Sequence, residues 1–193
     1  MANIKSHNIN LYAWSDTIFT DAEIDRIVEI GLNQKLEESK IDVAATALTG
    51  GRLSTNAWLY PDSETEWLYT KMRNAIDYMN QRFFNYDINL HEPFQFASYD
   101  SARKEFYGRH LDTIYGEASP AASRKLSITL QLTDGNSYEG GDLVLYQSDQ
   151  PNVAPKKKGM LVVFPSFIMH EVTPVTQGTR HSLVTWCHGP LFK

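Results

Sequence analysis

A single cysteine, Cys187, stands in a chain of 193 residues. No intramolecular disulfide can form, and a zinc site built on several thiolates is excluded. No apolar run approaches the ~18 residues of a membrane-spanning helix, and the opening MANIKSHNIN lacks an apolar signal region. Positive charge is not in excess either. Eighteen Lys and Arg against 23 Asp and Glu give a formal net charge of −5, without the footprint of a general nucleic-acid binder. The one basic run, Lys156-Lys157-Lys158, lies between Pro155 and Gly159 and reads as a solvated turn. No repeat, low-complexity tract or Pro/Gly/Ser linker divides the chain. These absences predict a soluble cytoplasmic protein with one domain over 1–193, no nucleic-acid partner and no membrane partner. Oligomeric state is not legible.

Hydrophobic residues make up 42% of the chain and charged residues 21%, enough to build a real core. Two textures follow one another. Over 1–92 the pattern is mainly helical. Thr20-Asp21-Ala22-Glu23 is a capping-box sequence followed by Ile24, Ile27, Val28 and Leu32 at helical spacing. Ser63-Glu64-Thr65-Glu66 offers a second box, followed by Leu68, Met72, Ile76 and Met79 on one stripe. Between them, TALTGGRLSTNAWLY reads as a loop entering a short strand. Over 93–193 the pattern is short strands and turns: FQFASY, KLSITLQL, DLVLYQ, MLVVF, IMHEVTPV and RHSLVTWC. Such spacing indicates a sandwich, barrel or jelly roll, here buttressed by the N-terminal helices. In KLSITLQL, Leu126, Ile128, Leu130 and Leu132 share one face, and Ser127, Thr129 and Gln131 share the other. That polar side can face solvent or line an internal pocket; alternation alone does not decide.

The segment FYGRHLDTIYG carries a candidate metal pair. In extended chain, residues two apart point the same way, so His110 and Asp112 can reach one ion. His170 follows 58 residues later on a predicted strand, and Arg180 ten further, across the turn TQGT. Two His and one carboxylate suit Fe(II) and leave positions for reacting ligands. Arg180 is then placed to grip a carboxylate through paired charge-assisted hydrogen bonds, with Ser182 on the same strand face. Glu171 is one residue out of phase for coordination, and His181 should point away from Arg180's face. His7 and His91 read as surface or packing residues; His188, two beyond Trp186, can face inward but stands at a strand end before Gly189-Pro190.

These pieces together resemble the 2-oxoglutarate/Fe(II)-dependent oxygenase superfamily, and within it the prolyl 4-hydroxylase-like, PKHD-type branch of bacteria and phages. The likeness rests on the Tyr of FASYD, His-x-Asp in RHLD, the turn YEGGDL, the His of FPSFIMHEVTPV, and Arg-x-Ser followed by Trp186. GGRLSTNAWL and DYMNQRFFNYDI extend it toward the N-terminus. The resemblance implies a double-stranded β-helix core with flanking helices. It implies Fe(II) on His110, Asp112 and His170, with 2-oxoglutarate as cosubstrate, O2 as oxidant and ascorbate as an optional reductant. Tyr99, Thr129, Gln131, Arg180, Ser182 and Trp186 would form the cosubstrate pocket, which turns the polar side of KLSITLQL inward. Some animal relatives have a Tyr where this chain has Gln131. The activity implied is hydroxylation of a proline in a peptide or protein, giving succinate and CO2, in the host cytoplasm if the chain is phage-encoded. A free amino acid or small metabolite is the alternative substrate. Arg52, Trp58, Tyr60, Tyr107 and Tyr115 are candidates for the substrate groove. Two other classes compete: a cupin-type metal protein without 2-oxoglutarate, and a non-catalytic β-sandwich binding protein.

Overall fold

The computed structural model describes residues 10–41, 51–113, 120–147 and 151–191. In chain order the elements are β1 (Ala13–Ser15), α1 (Asp21–Leu32), β2 (Glu37–Ile41), β3 (Arg52–Leu59), α2 (Glu66–Met79), β4 (Leu90–His91), β5 (Phe94–Asp100), β6 (Phe106–His110), β7 (Arg124–Gln131), β8 (Glu139–Gly140), β9 (Leu143–Tyr146), β10 (Pro151–Val153), β11 (Leu161–Pro165), β12 (Met169–Val172), β13 (Val175–Gln177) and β14 (Thr179–His188).

Among these residues one antiparallel sheet runs β1-β11-β7-β14-β5-β3-β6-β12-β9-β10, with β2 added to β3 and β4 to β14; β8 and β13 form a separate pair. In a flat sheet, β7 and β6 would lie about 19 Å apart, four strand spacings. Yet Ser127 on β7 hydrogen-bonds Asp112, just past β6, at 2.6 Å. The sheet therefore curls round to face itself. This is the expected mainly β jelly roll with flanking helices.

The helices cover its outer face. α1 begins with the expected box: Thr20 accepts from the Glu23 amide, while Glu23 accepts from the Thr20 amide. Its buried Ile24, Ile27 and Ile30 join Leu68, Met72, Ile76 and Met79 of α2, packed against Leu126, Ile128 and Leu130 of β7. Gly31 is where α1 comes nearest the sheet, since a Cβ there would sit 2.3 Å from the Phe96 ring.

Three details differ from expectation. The first ninety residues are not simply helical, because β1, β2 and β3 also lie there. The stretch after the paired glycines is a full eight-residue strand, held between β2 on one side and β5 and β6 on the other. The second box does not form. Thr65 makes no capping bond to α2; Asp62 instead accepts from the Glu64 and Thr65 amides. The basic run is not a free patch: Lys156, Lys157 and Lys158 pair with Asp142, Asp16 and Asp25. No helix of the described residues is long and apolar enough to cross a membrane.

Candidate metal centre and its cavity

β6 and β12 are antiparallel neighbours in which His110 and His170 are direct cross-strand partners, so both imidazoles leave the sheet on the same side. The chain then bends after His110, and the Asp112 amide donates to the Ser166 carbonyl at 3.1 Å. The three side chains converge. Asp112 Oδ1 lies 3.4 Å from His110 Nε2, and Oδ2 lies 3.4 Å from His170 Nε2. All three residues are buried, with ligand atoms within 4.8 Å of one another.

The tautomers follow from the backbone. His110 Nδ1 lies 2.8 Å from the Gly108 carbonyl and His170 Nδ1 2.9 Å from that of Ile168. A carbonyl can only accept, so each Nδ1 carries a proton and each Nε2 is turned toward Asp112. That is the usual outer support of a metal-binding imidazole. Ser127 donates to Asp112 Oδ2 and leaves Oδ1 free of that bond. Burial, followed by the charge of His170, pushes the His110 imidazole below its ordinary range. For His170 burial acts downward too, but the adjacent Asp112 outweighs it and the net direction is up. Burial alone would raise Asp112; His170 and the bonds from both imidazoles hold it well below the carboxylate range. The cluster is thus an ionised carboxylate between two imidazoles, a donor set that fits a borderline divalent metal.

The triad opens into a cavity inside the curled sheet. Tyr107 is stacked on His110 at 3.6 Å, and Phe164 meets His170 edge-on at 4.8 Å. Tyr99, Thr129, Leu143, Val184 and Trp186 line the walls with Arg180 and Ser182. Arg180 is only 2% exposed. Its Nη1 donates to Ser182 Oγ at 3.2 Å, it lies 5.3 Å from the Tyr99 ring, and its Nε has no partner. The arginine ion pairs among the described residues belong to Arg103, Arg109 and Arg124. A buried guanidinium without an acid is costly, so its place is one where an anionic ligand fits. The glycine turn of YEGGDL makes room for it: Gly141 has φ +60°, and a Cβ there would stand 3.0 Å from the Arg180 side chain.

Most of the residues expected from sequence meet in this cavity, and three do not. Gln131 points into an adjoining space bordered by Thr129 and Arg180, where its Nε2 donates to the Tyr138 hydroxyl at 2.9 Å. Trp58 is 41% exposed and stands 6.4 Å from Trp186, outside the lining; Tyr60 is 62% exposed. Tyr115 lies outside the described residues. His181 does turn from Arg180's face, but it is half-buried against Phe96 rather than exterior. Glu171 turns away from the triad toward Tyr146 and Arg109.

Sequence reasoning missed several participants. Tyr138 was visible as the first residue of YEGGDL but had no periodic cue. Glu92 and Arg124 form a doubly bonded pair at 2.6 and 2.9 Å; Arg124 lies 4.1 Å over Trp186 and reaches the Asp112 carbonyl. His188 completes this group, with Nε2 on Glu92 and Nδ1 on Ser123. Its partners are far apart in the chain, so no local pattern announces them.

Comparison with known proteins agrees with this geometry. The 2OG-Fe(II) oxygenase superfamily model matches residues 94–188. A PKHD-type hydroxylase of Shewanella oneidensis is 40% identical over 81 residues, which are 42% of this chain and 36% of the relative. The chain thus spans little more than a third of the first such relatives. A Pseudomonas putida prolyl-4-hydroxylase superposes with a TM-score of 0.72 at 21% identity, covering 93% of both chains. A prolyl hydroxylase of Trichoplax adhaerens, solved with a hypoxia inducible factor oxygen degradation domain peptide fragment, gives 0.71 at 17% identity, covering 93% of this chain and 84% of that one. At such identities the structural likeness is one of fold.

Proposed function

We propose that this chain, whose residues 94–188 match the 2OG-Fe(II) oxygenase superfamily model, is an iron(II)- and 2-oxoglutarate-dependent hydroxylase acting on a proline in a peptide or protein. One observation carries this: a buried His-Asp-His cluster and a buried guanidinium without an acid line the same cavity. A cupin-type metal protein or a plain β-sandwich would need the first or neither.

When bound, iron(II) supplies the oxygen chemistry, and 2-oxoglutarate the reducing electrons as it is converted to succinate and carbon dioxide. The chain's own work is holding and excluding. His110, Asp112 and His170 would hold the metal while leaving positions for exchangeable ligands. Arg180, oriented by Ser182, would bind the far carboxylate of 2-oxoglutarate as a forked donor, with the Tyr99 hydroxyl as a further donor and Thr129 along the wall. Gln131 would act one step back, through Tyr138. Leu143, Val184 and Trp186 keep water from the reacting centre. Tyr107, its hydroxyl pushed up to about 12 by burial and then by the Asp112 charge, stays neutral beside His110. Arg52, Tyr107 and, at its margin, Trp58 would form the substrate side.

The fold likeness to a peptide-bound prolyl hydroxylase supports the peptidyl substrate. Two measurements test the proposal. Anaerobic addition of Fe(II) and then 2-oxoglutarate should produce a visible charge-transfer band; no band and no binding would leave the cupin class. Proline-containing peptides should then gain one oxygen atom by mass. Gain on none of them would move the substrate to a free amino acid or metabolite.

A further inference from the structure

Two guanidinium groups line the cavity, Arg180 from β14 and Arg52 from the start of β3. Arg52 is 9% exposed. Its Nε donates to Ser54 Oγ at 2.9 Å, and its Nη2 to Asn56 Oδ1 at 2.6 Å and Gln95 Oε1 at 2.9 Å. All three acceptors are neutral, and Nη1 takes part in none of these bonds. The guanidinium lies 4.6 Å over Tyr107, which is itself stacked on His110. A full positive charge is thus fixed one ring away from a metal ligand. Among the described residues Arg52 has no acid within ion-pair distance; those that do pair are Arg103, Arg109 and Arg124. Asp112 is the one acid among the described lining residues, and it stands between the two imidazoles.

A neutral ligand would leave this charge buried and uncompensated, which is unfavourable. Arg180 is in the same condition, and one diacid cosubstrate answers only one of the two. The three neutral acceptors also hold the fork of Arg52 in place, so a ligand need not order it. Building on the hydroxylase reading above, we infer that the substrate presents a carboxylate to Arg52. That group is the α-carboxylate of a free amino acid or the terminal carboxylate of a peptide.

Gln95 offers a direct test. Gln95→Glu is nearly isosteric and sets an acid against Arg52 Nη2, supplying from within the charge the substrate would bring. The full chain is loaded anaerobically with iron(II) and saturated with 2-oxoglutarate, so that the Arg180 end is filled. Calorimetry then compares L-proline with L-prolinamide, N-acetyl-L-proline with its amide, and a prolyl peptide with its C-terminally amidated form. At least one acid should bind about tenfold or more tightly than its matched amide, as expected for hydrogen bonds to a charged group. Gln95→Glu and Arg52→Gln should each erase that preference. Preference in the L-proline pair assigns a free amino acid, and preference in the peptide pair assigns a peptide. Equal binding of acid and amide in every pair, no binding of any acid, or a preference that survives Gln95→Glu overturns the inference. Binding of 2-oxoglutarate is measured first in the same cell. Its failure overturns the oxygenase assignment and this inference with it, whereas normal 2-oxoglutarate binding without acid preference overturns the Arg52 inference alone.

Discussion

β7 has two faces that water reaches equally little and that do opposite things. Leu126, Ile128 and Leu130 are 0% exposed and pack under the two helices. Ser127, Thr129 and Gln131 are 1, 8 and 5% exposed, yet they turn to the metal cluster and the spaces beside it. Burial alone therefore does not mark the core. What separates the faces is whether hidden polar atoms are fully answered within the protein. On the outer face there are none to answer. On the inner face a chain of donors ends on Asp112, and nearby Arg180 leaves its Nε unanswered. A buried polar surface left incomplete is the signature of a ligand.

The comparison predicts that damage to one face spares what the other does. The largest effect should come from the metal cluster: His170→Ala, or His110→Ala, should abolish succinate formation stimulated by substrate, while thermal unfolding still shows a cooperative transition. Near-normal turnover by either variant would remove the cluster from the chemistry. On the outer face, Ile128→Ala should lower stability by about 2–5 kcal/mol, the range for a truncated core aliphatic, measured by urea unfolding. Its 2-oxoglutarate affinity, taken well below the transition, should not move. A parallel loss of affinity would mean that the two faces are coupled through the strand. Arg180→Ala should do the reverse and weaken 2-oxoglutarate by about 1.5–3 kcal/mol for lost charged hydrogen bonds. Unchanged affinity in a titration would take the guanidinium out of the cosubstrate site. Its effect on stability should be small or favourable, because an unpaired buried charge is removed.

Much of the inner face was legible because it obeys short periods. His110 and Asp112 are two apart, Arg180 and Ser182 two apart, and the alternation in KLSITLQL separates the faces of β7. What the alternation could not say is that the polar side is indoors, since a solvated face alternates in the same way. The curl of the sheet decides that, and curl is a property of many strands together. β3 was expected only as a short strand after a loop because Ser54, Thr55 and Asn56 are turn-forming residues; strand pairing on both edges overrode them. The second capping box failed for a local reason. Asp62 is an equally good acceptor one position earlier, and it took the Glu64 and Thr65 amides first. Gln131 was placed on the correct face but lies two residues past Thr129, beyond the main cavity. Tyr138, arriving from the following turn, stands against it.

The finest test concerns a hydroxyl that belongs to both kinds of surface. Ser127 Oγ donates to Asp112 Oδ2 at 2.6 Å and lies 3.0 Å from Ser166 Oγ, with its own backbone locked in the pairing of β7 with β11 and β14. Were it a packing residue, Ser127→Ala would chiefly change stability. Were it a support for the metal ligand, the change would appear in metal affinity, because a carboxylate freed of its hydrogen bond can rotate away from the imidazoles. The second outcome is expected: metal affinity lower by about tenfold, at the small end of the effects of such outer supports, with a stability change well below that of Ile128→Ala. A metal titration followed by an unfolding curve on the same sample separates them. If stability falls while metal affinity holds, the inner face of β7 is ordinary core at Ser127, and the division between its faces begins only at Thr129.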